Sequence, residues 1–174
     1  MTAAEERTGT PAASDGKAAG KKLTLIAHSG DLDKLLTTMS LACTAAAMGT
    51  RVHVFFTFWG VMALRKRRSF RGKSALHRML NALLPSRARR LPLSRKNMAG
   101  MGPVFFRHLM KEKNVSNVDD LVAVAKDCGV HLIACAMSMD VMGIQPDELV
   151  DGIEIGGAAA CVGDLLTSDS GFLV

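Results

Sequence analysis

The stretch His131-Leu-Ile-Ala-Cys135-Ala-Met-Ser-Met-Asp-Val-Met-Gly143 decides how this chain is read. With Gly129 and Val130 before it, its first part is an apolar run flanked by Asp127 and by a polar turn. Too short for a helix, it reads as a buried strand ending at Cys135. In an open parallel sheet the carboxyl ends of the strands line the crevice where ligands bind, so a reactive group delivered there is placed for chemistry. Reactivity requires the thiolate, which a helix start or cationic neighbours favour and apolar surroundings oppose. Ser138 and the backbone N–H groups of the following turn supply hydrogen bonds to a thiolate, and Met137, Met139 and Met142 supply soft apolar contact. The competing reading is that Cys135 is a small buried hydrophobe.

Working outward, 174 residues with 48% hydrophobic and 22% charged side chains suffice for one globular domain with a proper core. Four cysteines and no secretory pattern point to free thiols in a reducing, cytoplasmic compartment. Residues 1–20 carry Ala, Gly, Thr and charge without an apolar core, and are expected to form a disordered tail. The stretch from Leu35 to Met48 is too short to span a bilayer.

The net charge of +6 is concentrated: between Arg65 and Lys96 stand twelve Lys or Arg and no Asp or Glu. Such a block suits an acidic protein, an anionic membrane surface or a solvated loop, with nucleic acid the least favoured partner. Within it Leu76, Met79, Leu80, Leu83 and Leu84 recur at helical spacing beside His77, Arg78 and Arg87, which makes a basic amphipathic piece. Neither a P-loop nor a Gly-x-Gly-x-x-Gly fingerprint occurs, which argues against a nucleotide site.

Taken in order, Leu23 to Ala27 is a short strand ending in His28-Ser-Gly-Asp31, a turn and helix cap. Leu32, Leu35, Leu36, Met39, Cys43 and Ala46 then follow helical spacing as far as Gly49, with Cys43 toward the core. Arg51 to Phe58 is a second strand running into Trp59-Gly60, and the strand, helix, strand order predicts a right-handed parallel unit. His28 and Trp59 are thereby expected at the same rim as Cys135. Helices are expected over residues 61–68, 104–113 and 118–128, a short one over 146–150, a fourth strand over 152–155, a helix over 158–166 and a last strand over 171–174. Cys161 is a second thiol for Cys135 if the start of its helix lies at that rim. Cys128, His131 and Cys135 do not fall on one side of a helix end and strand, so no metal site is expected, nor any cofactor.

Four segments together carry a resemblance: the turn through Ser29-Gly30-Asp31, the strand end Phe55-Phe-Thr-Phe-Trp-Gly60, the Cys135 turn, and Asp151-Gly-Ile-Glu-Ile-Gly-Gly157. Over residues 21–174 the chain resembles the DsrE/DsrF/DsrH-like sulfur-transfer proteins, in the branch often labelled peroxiredoxin-like. The resemblance implies a flavodoxin-like, mainly parallel sheet of about five strands with helices on both faces, homo-oligomeric assembly, and sulfane sulfur carried as a persulfide on Cys135. It also implies exchange with TusA-type carriers or rhodanese-like proteins. The basic block, at about 65–102, is longer and more arginine-rich than the insert typical of that branch and leaves membrane association open. Two rival readings stand beside it: a redox protein in which Cys161 resolves an oxidised Cys135, and an adaptor that docks through the basic block.

Overall fold

The computed structural model describes residues 20–88, 91–93 and 101–174. Nineteen residues of the expected tail and part of the basic block lie outside them. Five strands, β1 (Lys22–Ala27), β2 (Arg51–Phe56), β3 (His131–Cys135), β4 (Glu154–Gly156) and β5 (Ser170–Leu173), form one sheet in the order β4-β3-β2-β1-β5. Every pairing is parallel. The helices are α1 (Leu32–Ala47), α2 (Ala75–Leu83), α3 (Met101–Glu112), α4 (Val118–Asp127), α5 (Ala136–Met142) and α6 (Ala158–Leu166).

Strand alternation sorts the side chains onto two unequal faces. Leu25, Ala27, Val54, Phe56, Leu132 and Ala134 join one large core with Leu35 and Met39 of α1 and Val118 and Val122 of α4. The other face carries Phe55, Ile133 and Cys135, packed with Cys161 of α6 and edged by Ile26 and Leu165. Helices thus cover both faces, but α6 covers its own with a much smaller apolar cluster.

Two boundaries differ from the sequence expectation for backbone reasons. The second strand stops at Phe56 because Phe58 takes a left-handed φ of 45°, which no strand accommodates. Residues Phe58–Leu64 then form a 3-10 helix rather than an α-helix over 61–68, with Gly60 through Leu64 all buried. The fourth strand starts only after Gly152, whose φ of 79° makes a turn.

Gly60 is required where it stands. A Cβ there would lie 2.0 Å from the carbonyl oxygen of Ala27. Its N–H bonds to the His28 carbonyl at 3.2 Å, while Thr57 N–H bonds to the Ala27 carbonyl at 3.0 Å, so the exit of β2 lies flat across the end of β1.

The basic block is anchored at its start. Arg65 and Lys73 both bind the Glu148 carboxylate, and all three side chains are withdrawn from water. Glu148 also accepts the N–H groups of Ser69 at 3.2 Å and Gln145 at 3.3 Å. Arg67 pairs with Asp147 and Lys66 with Asp151. Asn81, buried in α2, donates to the Met142 carbonyl at 2.9 Å and accepts from Arg65. The ring of His77 rests on Gly143, where a Cβ would meet it at 2.8 Å. Consequently α2 docks through Asn81, His77 and Leu84, and its Leu76, Met79 and Leu83 face solvent.

Burial pushes the Glu148 carboxyl upward, but Lys73, Arg65 and the Gln145 N–H outweigh it and hold it below the usual range. Its folded pKa lies under its unfolded one, so its contribution is present above the unfolded carboxylate pKa and is lost as pH falls through the folded value. Glu148→Gln leaves two buried cations without a counter-charge and is expected to cost about 3–5 kcal/mol at neutral pH. Urea denaturation of the two proteins between pH 3 and 7 checks both statements, and an unchanged midpoint at pH 7 would contradict them.

Candidate active site

Cys135 ends β3 and is the N-cap residue of α5, with extended φ and ψ of −70° and 116°. The first N–H groups of a helix have no intrahelical acceptor. Here the amides of Met137 and Ser138, the second and third residues of α5, and the hydroxyls of Ser138 and Thr57 lie around the Cys135 sulfur and favour its thiolate. Cys135 is only 4% exposed. Burial pushes its pKa up, but the two Ser138 donors, Thr57 and the Met137 amide together hold it below the usual thiol value.

The left-handed Phe58 sets this arrangement. It turns its own N–H onto the Ser138 hydroxyl oxygen at 2.8 Å, with the Thr57 hydroxyl 3.2 Å from the same oxygen. Because Ser138 Oγ accepts from the backbone, its proton is free to be donated to the thiolate. Thr57 and Phe58 come from the end of β2, and the pairing of Phe56 with Ala134 brings them beside Cys135. Nothing in the spacing of the sequence singles out Thr57 as a thiol donor, since it stands 78 residues from Cys135; only strand register does so.

The other expected residues are placed as follows. Met137 offers its amide while its side chain is 55% exposed, and Met139 and Met142 pack in the large core on the opposite face of the sheet. A methionine shell around the sulfur is therefore not what the fold builds. His28 is exposed, its ring 5.9 Å from that of Phe58, and it is not among the groups that depress the Cys135 pKa. Trp59 is half exposed, its Cβ and carbonyl packed where a side chain at Gly30 would be. Cys161 does arrive at the thiol: Cys135 pairs with Gly156, α6 begins two residues later, and Cys161 joins Cys135, Phe55 and Ile133 in one buried cluster. Burial raises the Cys161 pKa, and the charges of Asp164 and Cys135 raise it further.

Cys43 and Cys128 are elsewhere. Cys43 packs against the large core and donates to the Leu121 carbonyl at 3.6 Å, and Cys128 is exposed after α4. Clefts of about 420, 370 and 210 Å³ open on the chain, and Cys135 lines none of them. Among the described residues no three His, Cys, Asp or Glu side chains are grouped to hold a metal ion. The arrangement is a thiol at the end of a strand whose protein N–H and O–H neighbours favour its ionised form, which is the form that attacks sulfur.

Ser138→Ala removes one donor to the sulfur and is expected to shift the pH midpoint of Cys135 alkylation upward, with Thr57→Val moving it in the same direction by less. The rate of iodoacetamide modification against pH, in a background lacking the other three cysteines, measures this. Superimposable profiles for the parent and Ser138→Ala would show that the hydroxyl does not act on the thiolate.

A family model described as DsrE/DsrF/DrsH-like matches residues 19–173. The chain is 40% identical over 145 residues to the protein YrkE of Bacillus subtilis, covering 83% of this chain and 91% of that one. It is 34% identical over 153 residues to the sulfur carrier protein DsrE2 of Allochromatium vinosum, covering 80% and 89%. In fold it is similar to the ychN protein of E. coli, with a TM-score of 0.57 at 16% identity, covering 88% of this chain and 99% of that one. It is similar also to MTH1491 of Methanobacterium thermoautotrophicum, with a TM-score of 0.50 at 15% identity and the same coverage. The family model thus matches nearly the whole of the chain, two relatives reach 40% and 34% identity, and the chain belongs to the DsrE/DsrF/DrsH-like family.

Proposed function

We propose that this protein is a sulfur carrier that holds sulfane sulfur as a persulfide on Cys135 and relays it between proteins. The observation that carries this reading is the place of Cys135 at the carboxyl end of β3 and the N-cap of α5, beside the hydrogen-bonded Ser138 and Thr57 hydroxyls that favour its thiolate. The relationship to a named sulfur carrier supports it at the level of the family.

The chemistry is exchange at sulfur. The Cys135 thiolate attacks the outer sulfur of a donor persulfide, the donor thiolate leaves, and the sulfur stays on Cys135 as a persulfide anion. An acceptor thiolate then attacks that outer sulfur and Cys135 leaves as thiolate, so no net oxidation occurs. A depressed pKa helps twice, since it raises the thiolate fraction for loading and makes Cys135 the better leaving group for unloading. The Ser138 and Met137 donors that bind the thiolate are placed to steady the charge of the persulfide.

The donor and acceptor are read as proteins. The apolar side chains of Phe58, Trp59 and Met137 are exposed close to Cys135 in the chain or at the groups that surround it. Such apolar rim residues suit the face of a carrier of the TusA type or a rhodanese-like donor that presents a persulfide on its own surface.

Brief incubation of the reduced protein with polysulfide, prompt alkylation and intact mass measurement tests the reading. One added sulfur atom is expected on the wild type and none on Cys135→Ser. Equal uptake by the two proteins would place the sulfur elsewhere and remove the reading.

A further inference from the structure

We propose that Cys161 is a discharging thiol: its sulfur attacks the inner sulfur of the Cys135 persulfide, forming a Cys135–Cys161 disulfide and releasing the carried sulfur as hydrosulfide. The proposal rests on the persulfide reading of Cys135 and gives the protein a second way to unload besides transfer to an acceptor.

Topology brings the two cysteines into one buried cluster. Cys135 on β3 pairs with Gly156 on β4, Gly157 caps α6, and the Cys161 N–H bonds to the Gly157 carbonyl at 3.4 Å, so Cys161 sits in the first turn of the helix. The helix start presses down on the strands because Gly156 has no side chain. A Cβ there would lie 2.9 Å from Ile133 Cγ2 and 3.3 Å from Ala160 Cβ. The result is a buried cluster of four side chains, Phe55, Ile133, Cys135 and Cys161, in which the two sulfurs are the only reactive atoms. Cys43 and Cys128 belong to α1 and the end of α4, on the other side of the sheet.

The two thiols differ in the way a two-step exchange needs. Burial, Asp164 and the Cys135 charge keep Cys161 protonated at rest, so it does not compete with Cys135 for incoming sulfur. Once Cys135 is loaded, its charge moves outward to the terminal sulfur and the repulsion on Cys161 weakens. Cys161 then gives up its proton and attacks. The bond between Cys135 and the carried sulfur breaks, the leaving sulfur takes its electron pair and the proton, and the two cysteine sulfurs become the disulfide. The carried sulfane sulfur is reduced by two electrons and the cysteine pair is oxidised by two, so a single discharge needs no other reagent. An external thiol reductant resets the pair.

The test is single-turnover discharge by the full-length chain. Reduced protein is loaded with limiting inorganic polysulfide, freed of donor and then followed by sulfide release and by intact mass after alkylation of free thiols. The wild type is expected to lose its extra sulfur with an equal amount of sulfide, faster at higher pH, and to yield a joined Cys135 and Cys161 peptide in a non-reducing map. Cys161→Ser and Cys161→Ala are expected to take up the sulfur and hold it roughly tenfold longer or more, because the internal thiol is missing. Two substitutions of different polarity, each with the melting temperature of the wild type, separate loss of the thiol from damage to packing. Discharge at one rate in all three proteins, or sulfide release without the joined peptide, overturns the proposal while the carrier reading stands. Failure of every variant to take up sulfur overturns both.

Discussion

The carbonyl of Ala27 occupies the place where a side chain of residue 60 would be, and much of the site follows from that close approach. It holds the exit of β2 flat over the end of β1, so that the Thr57 hydroxyl and the Phe58 amide reach Ser138 beside the end of β3. Phe58 accepts a left-handed backbone there, a conformation that costs on the order of 1 kcal/mol or more for a residue with a side chain. The surrounding burial of residues 60–64 holds it in place. What the strained turn yields is an amide aimed at Ser138, and through Ser138 an oriented hydroxyl for the Cys135 sulfur.

Two electrostatic arrangements divide the molecule. Around Cys135 the compensation is dipolar: the amides and hydroxyls that favour its thiolate are neutral groups. Around Glu148 the compensation is ionic, with two cations on one carboxylate and a buried amide closing the cluster. That cluster ties the start of the arginine-rich segment to the turn after α5, and Asn81 binds the last carbonyl of α5 itself. The insertion therefore supports the far end of the helix whose near end is capped by Cys135.

Much of the frame was legible in the residues. The short apolar run before Cys135, the Ala158–Leu166 helix and the parallel order of the strands all appear where local pattern places them. Departures arise where a pattern is shared by two structures. Leu76, Met79 and Leu83 trace one side of a helix and are exposed, in keeping with an amphipathic piece, but periodicity identifies a face without saying what the other side meets; in α2 that is the buried Asn81, because the Met142 carbonyl and Arg65 need its amide. Likewise Met139 follows Cys135 closely in sequence, yet helical rotation in α5 carries its side chain to the opposite core.

What the sequence determined by itself was local: which segments become strands and helices, and that a cysteine stands at the end of one strand, since these depend on apolar spacing and turn residues a few positions apart. Which groups surround that cysteine was decided only by tertiary structure. Thr57 and Phe58 reach it through the pairing of β2 with β3, and Cys161 through the pairing of β3 with β4 followed by the seating of α6 on Gly156. Those contacts join segments 26 to 78 residues apart, and their geometry is set by hydrogen-bond register between strands, which no local pattern encodes.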